Sequence, residues 1–119
     1  MYPPPDSLPP PLVVESTESG AHELVVRVCG ELDLLTHGVL RKGLDALPLD
    51  GIEVVRLHLA ELVFCDSHGL RQLLTFVRTG RMAGQDVRIE EPSPILLKLM
   101  SLFAPWALLP QAVPDDLAS

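Results

Sequence analysis

The chain reads as a single α/β domain: a mixed β-sheet of about five strands, with helices packed mainly on one face. Three observations predict it. Runs rich in β-branched and aliphatic residues alternate with stretches of helical periodicity, in the order β-β-α-β-α-β-α-β along 119 residues. The first two β runs are separated only by a short turn, which argues for an opening antiparallel hairpin. The later strand–helix–strand units need crossovers, which argue for parallel pairing with right-handed connections.

Leu12 to Glu15 is the first strand, and Ser16 to Ala21, carrying Gly20, is the turn. His22 to Cys29 follows, with Leu24, Val25, Val26 and Val28 suited to a half-buried or fully buried strand. Gly30-Glu31-Leu32-Asp33 ends it. Thr36 stands where the cap of a helix from His37 to Leu47 belongs, with Leu40, Leu44 and Leu47 on the inner face. Gly43 lies on that stripe. A glycine there costs a helix about 1 kcal/mol, so close packing against the sheet is expected. Pro48 and Gly51 close the helix.

Glu53 to Leu59 is the central strand, and a turn holding Asp66, Ser67, His68 and Gly69 leads to the second helix. Leu70, Leu73, Leu74 and Val77 share one face of that helix, at i, i+3, i+4 and i+7. It should end near Gly80 to Gly84, where glycines supply left-handed caps. Asp86 to Glu90 is a short strand. Pro92 and Pro94 open a third helix with Leu96, Leu99, Met100 and Phe103 as its buried stripe. Pro105 stops it, and Trp106 to Leu109 is read as a short edge strand. Flanking the domain (12–110) are a flexible leader, 1–11, with six of the twelve prolines, and a polar tail, 111–119.

Composition narrows the function. Hydrophobic residues make up 47% but aromatics only 4%, so leucine and valine must fill the core. Nine basic against sixteen acidic side chains give a net charge of −7. That argues against a nucleic-acid surface, which needs clustered Lys and Arg, and against binding to anionic lipid. No basic region followed by an apolar run marks a secretory signal. The most apolar stretch, Ile95 to Pro110, is broken by Lys98 and Pro105 and cannot cross a bilayer as one helix. Cys29 and Cys65 form neither a disulfide framework nor a Cys-x-x-Cys pair, so a reducing cytoplasm is the expected compartment.

The residues most suggestive of chemistry sit around Ser67, read as the N-cap of the second helix. A hydroxyl there lies at the positive end of the helix dipole, and the free N–H groups beside it can hold a phosphate without unfolding the helix. Acidic, small and glycine neighbours keep the turn open. The reading is a switch residue modified by another protein; ordinary capping is the plainer alternative.

Several segments then coincide with one family. Gly30-Glu31-Leu32-Asp33 with Thr36 resembles the G-E-L-D-x-x-T segment of STAS domains, the anti-sigma factor antagonists. Val54 to Leu59, followed by Phe64-Cys65-Asp66-Ser67-His68-Gly69-Leu70, resembles the family's central strand and its Asp-Ser-Ser/Thr-Gly-Leu turn. Pro92-Ser93-Pro94 resembles a further family feature. The resemblance implies that Ser67 is the phosphoacceptor of a GHKL-type serine kinase, itself the anti-sigma factor, which the unphosphorylated protein binds so that a sigma factor is released. Asp33, Thr36, Asp66, His68 and Gly69 would shape the partner surface. Two positions depart from the pattern: His68 replaces the usual second Ser or Thr, and His58 stands where Asp or Asn is usual.

Other classes fit less well. An enzyme using Ser67 as nucleophile and His68 as base fails because adjacent residues diverge around a helix start, and no G-x-S-x-G elbow is present. Cys65, His68, His58 and His37 lack a second pair at zinc-site spacing, so no metal is expected. No glycine-rich phosphate loop exists, so no cofactor is expected. The free cysteines read as small buried hydrophobes, with redox control of the switch a minor alternative. A non-switching STAS-like scaffold of a signalling or transport complex is the serious rival. Leu102 to Leu109, if exposed, leaves a homodimer open.

Overall fold

The structure is a computed structural model that describes residues 11–110; apart from Pro11, the leader and tail expected at the two ends lie outside the described residues. The elements are β1 (Leu12–Glu18), β2 (Glu23–Leu32), α1 (His37–Asp45), β3 (Val54–His58), β4 (Leu62–Cys65), α2 (Ser67–Met82), β5 (Asp86–Glu90) and α3 (Pro94–Phe103), with a 3₁₀ turn at Pro105–Leu108.

β2 is the axis of one five-stranded mixed sheet of order β1-β2-β3-β5. β1 runs antiparallel along one edge of it, from Leu12 opposite Gly30 to Glu18 opposite Leu24. The other edge is shared. β3 runs parallel to its first half, Glu23 opposite Val54 to Arg27 opposite His58, and β4 runs parallel to its end, Leu32 opposite Cys65. The changeover coincides with a bulge at Gly30/Glu31. β5 extends the sheet beyond β3 in parallel.

The period-two alternation of the strands makes the two faces chemically different. Leu24, Val26, Val28, Val55, Leu57 and Val87 are buried, and they form one core with Leu40 of α1, Leu73 and Val77 of α2, and Leu96 and Met100 of α3. The opposite face is a charged ladder. Arg56 sits 2.5 Å from Glu90 and 3.4 Å from Glu23, and His58 Nε2 lies 3.1 Å from Glu90. The expectation of helices mainly on one face therefore holds.

Local details differ from the sequence reading. β4 was not expected, because four residues pairing with the tail of β2 leave no periodicity; the strand forms on the edge that β3 vacates after His58. The fifth strand expected at Trp106–Leu109 is instead the 3₁₀ turn. Its carbonyls are taken by the buried Arg81 of α2, which donates to Trp106 O and Ala107 O, each at 3.1 Å, and to Val87 O at 2.9 Å. β1 reaches Glu18, which shortens the hairpin turn, and α1 stops at Asp45 rather than Leu47. Phe103, expected in the core, is 72% exposed. Leu96 and Met100 define the core-facing line of α3, and Phe103, three residues on, lines the groove toward α2 instead. The packing expected at Gly43 is present: a Cβ there would stand 2.6 Å from Val14 Cβ.

Candidate functional site

The C-terminal ends of β2 and β4 bring the starts of α1 and α2 together, since Asp66 N–H donates to Leu32 O at 3.1 Å. Asp66, not Ser67, is the N-cap of α2. Its backbone is extended (φ −83°, ψ 174°), and its Oδ1 accepts the Gly69 N–H at 2.7 Å. Aspartate is among the best caps because its carboxylate satisfies an N–H that the helix leaves free and also meets the positive end of the dipole. Ser67 is thereby moved into the first turn of the helix.

That correction frees the hydroxyl. Ser67 is exposed, and its side chain makes no hydrogen bond among the described residues. A capping serine would have spent its oxygen on the backbone. With Asp66 doing that work, the capping of α2 makes no demand on the oxygen of Ser67.

The carboxylate of Asp66 has a second occupant that the sequence did not suggest. His37 Nε2, from the start of α1, lies 3.0 Å from Oδ1 and 3.2 Å from Oδ2. The Gly69 N–H, and after it the His37 ring, hold the Asp66 carboxyl below its ordinary range, against the opposing effect of partial burial. A carboxylate acceptor places a proton on His37 Nε2. The other ring nitrogen, Nδ1, is 2.7 Å from His68 Nδ1, with the rings edge-on at a centroid separation of 4.4 Å. Gln72 fixes the α1 side by donating to the carbonyl of His37 at 3.2 Å. No local motif signals this chain: His37 is 29 residues from Asp66, and only the sheet brings them together.

Asp33 and Thr36 shape the loop before His37. Thr36 is buried, and its hydroxyl donates to Glu31 O at 2.7 Å and accepts from Asp33 N–H at 2.9 Å, so it pins the loop and does not cap α1 by its side chain. Asp33 Oδ1 accepts the Leu35 N–H at 3.0 Å. The loop displays Leu34 and Leu35, 82% and 88% exposed. Gly69 is where α2 crosses the sheet: a side chain there would collide with Leu32. His68 is exposed beside Ser67. His58 is remote, on the charged face with Glu90, and takes no part in the site.

Ser67 also stands at one end of a groove of about 400 Å³ between α2 and α3, lined by Leu70, Arg71, Leu74, Arg78, Leu99, Phe103 and Trp106 among others. Chemically, the site offers an accessible hydroxyl, a helix N-terminus and an apolar, partly basic surround. An Asp66–His37 pair exists, but it does not reach the Ser67 hydroxyl, which general-base activation would require. Among the described residues, no group of three or more His, Cys, Asp or Glu is arranged to hold a metal ion. No helix among them is long and apolar enough to cross a membrane. Cys65 is buried and its thiol is pushed up to about 12 by burial and by the charge of Asp66.

Comparison with known proteins places this geometry. No curated protein matches the sequence. Solved structures share the fold, among them the following three. The anti-sigma factor antagonist SpoIIAA in its unphosphorylated form is 21% identical, with 76% of this chain and 83% of that chain covered at a TM-score of 0.59. The Bacillus cell fate determinant SpoIIAA in the phosphorylated form is 23% identical, with 79% and 87% covered at 0.59. An anti-sigma factor antagonist from Mycobacterium paratuberculosis is 25% identical, with 87% and 88% covered at 0.56. The family model described as "Mlab, STAS domain" matches residues 15–105, most of the described domain. The chain therefore belongs to the STAS-domain family.

Proposed function

We propose that this chain is an anti-sigma factor antagonist switched by phosphorylation of Ser67. In its unmodified form it binds an anti-sigma factor of the GHKL serine-kinase class around the start of α2, so that a sigma factor is released; phosphate on Ser67 ends that binding. The protein itself performs no catalysis. Asp33, Thr36, Asp66, His68 and Gly69 act by shaping and positioning this surface.

The observation that carries the reading is the state of Ser67: exposed, without a side-chain hydrogen bond among the described residues, and held in the first turn of a 16-residue helix that a different residue caps. A phosphate there would bring close to two negative charges to the positive end of the helix, one turn from Arg71, so the fold tolerates it. A partner seated over Leu34, Leu35 and the groove would instead have to desolvate a dianion. A relative of the same fold, SpoIIAA, is known in both unphosphorylated and phosphorylated forms, which supports the reading.

The second reading is a non-switching interaction module of a signalling or transport complex. What favours it is the matched family description, which names Mlab, together with His68 where Ser or Thr is usual. The two separate in one experiment. The chain is co-purified with its native partners, incubated with ATP, and the Ser67 peptide is analysed by mass spectrometry beside a Ser67→Ala control. Phosphate on Ser67, with a histidine-kinase-like ATPase among the partners, supports the switch. A stable partner complex that never modifies Ser67 and is indifferent to ATP sinks it in favour of the module.

A further inference from the structure

The charges of this chain are sorted by layer. Helices α1, α2 and α3 carry six of the nine basic residues (Arg41, Lys42, Arg71, Arg78, Arg81 and Lys98) but only one of the sixteen acidic ones, Asp45. On the opposite face of the sheet, Arg56 and Arg88 are neutralised by Glu90, Glu23 and Asp86. Of the helical cations, Arg81 is buried; the other five make no ion pair among the described residues. An acidic protein thus presents a helical layer rich in cations, five of which have no ion-pair partner among the described residues.

Two of those cations share a groove. Arg71 and Arg78 both line the cleft between α2 and α3. They are seven residues apart on one helix, so they lie on the same side of it, separated by roughly 10 Å. Leu74 lies between them on α2, and Leu99 and Phe103 of α3, the latter 72% exposed, line the same groove with Trp106. A row of apolar side chains flanked by cations two turns apart is the complement of an amphipathic helix that carries carboxylates at i and i+7 beside its apolar stripe.

We propose that the groove between α2 and α3 receives an acidic amphipathic helix of a partner protein, with Arg71 and Arg78 pairing to carboxylates two turns apart and Leu74, Leu99 and Phe103 taking its apolar face. A second copy of this chain does not fit, because its own helices carry a single acid. A membrane does not fit either: the two arginines are set along a cleft, not on a flat apolar surface, and the net charge is −7. The inference rests on the partner-binding reading of this surface and names the chemistry of the segment that docks there. It does not require Ser67 to be modified.

The test uses the full, unphosphorylated chain and a fluorescein-labelled peptide of roughly 18 residues, long enough to favour a helix, with leucines at i, i+3, i+4 and i+7 and glutamates flanking them seven apart. A twin has lysine for each glutamate. Anisotropy should show binding of the acidic peptide only. Affinity should fall about tenfold or more in Arg71→Glu, in Arg78→Glu, and on raising salt from about 50 to about 500 mM, but hold in Arg27→Glu, which makes the same charge change on the far face. Amide shifts should map to α2 and α3, and unchanged circular dichroism should confirm that the variants fold. Failure of the acidic peptide to bind, equal binding of the lysine twin, insensitivity to both arginine reversals, or shifts confined to the α1–α2 side would overturn the proposal. So would capture by phosphatidylglycerol vesicles, lost in Arg71→Glu, in place of peptide binding. Because no kinase or ATP is involved, failure here leaves the Ser67 phosphorylation result standing, and the reverse is also true.

Discussion

His37 Nε2 stands 3.0 Å from Asp66 Oδ1, although 29 residues separate the two in the chain. The contact joins the start of α1 to the start of α2 across the ends of β2 and β4. Asp66 serves both helices, accepting the Gly69 N–H of its own first turn and the ring N–H of its neighbour. The placement of Ser67 depends on this shared carboxylate, because a well-fixed cap is what leaves the next hydroxyl unoccupied.

Asp66→Asn should therefore lower the urea midpoint at neutral pH, and the loss should depend on pH. The carboxyl is held below its ordinary value of 3.8 in the fold, chiefly by the Gly69 N–H. A depressed carboxyl contributes stability above its unfolded pKa and loses it as pH falls through the folded value. The gap between wild type and variant should be full at pH 6 and close below about pH 4. A gap that stays constant through acid would contradict a stabilising role for the Asp66 charge.

Ser67→Asp should fold as wild type does. A negative charge in the first turn of α2 meets the positive end of the dipole, so stability should stay within about 1 kcal/mol of wild type. Partner affinity should nevertheless drop, as a phosphate would make it drop. Circular dichroism, thermal midpoint and a pull-down with the native partner measure the three quantities; a variant that unfolds, or that binds unchanged, goes against the switch.

Gly69→Ala and Gly38→Ala separate close approach from helix propensity. At Gly69 the added methyl meets the Leu32 side chain in the core, and overpacking should destabilise by about 1–3 kcal/mol. At Gly38, in α1, the methyl enters open space, and the change should be neutral or stabilising by up to about 1 kcal/mol. Chemical denaturation of the two variants should give opposite or clearly unequal shifts.

Arg81→Lys tests the clamp on the 3₁₀ turn. One ammonium cannot replace a guanidinium that reaches Val87 O, Trp106 O and Ala107 O, with its carbon 5.8 Å from the centre of the Trp106 ring. Leaving buried carbonyls without a donor should cost roughly 2–4 kcal/mol and loosen Pro105–Leu108. Equilibrium unfolding and hydrogen exchange at Ala107 and Leu109 report on both.

The thiols should be slow. Burial and Asp66 raise Cys65, and burial and Glu61 raise Cys29, so neither is poised as a thiolate near neutral pH. An aromatic disulfide reagent should reach half-buried Cys29 first and Cys65 only on unfolding. Rapid modification of Cys65 in the native protein would restore redox control as a candidate.

Much of this was legible in residue order alone. The alternation of Leu24, Val26 and Val28 requires a strand with one buried face, and Leu70, Leu73 and Val77 require a helix, because local periodicity records which side of an element meets the core. Gly43 announced its close contact with β1 by being costly where it stands. The Asp-Ser-His-Gly turn marked the start of α2 and drew attention to Ser67, one residue from its true cap.

The tertiary structure decided what depends on partners distant in sequence. β4 exists because β3 leaves an edge of β2 open, and the carbonyls after Pro105 are claimed by Arg81 rather than by a neighbouring strand. His37 reaches Asp66 only once two helices start side by side. None of these leaves a local trace: period and propensity describe each segment against an averaged surrounding, whereas a hydrogen bond across 29 residues depends on where the sheet sets both ends down.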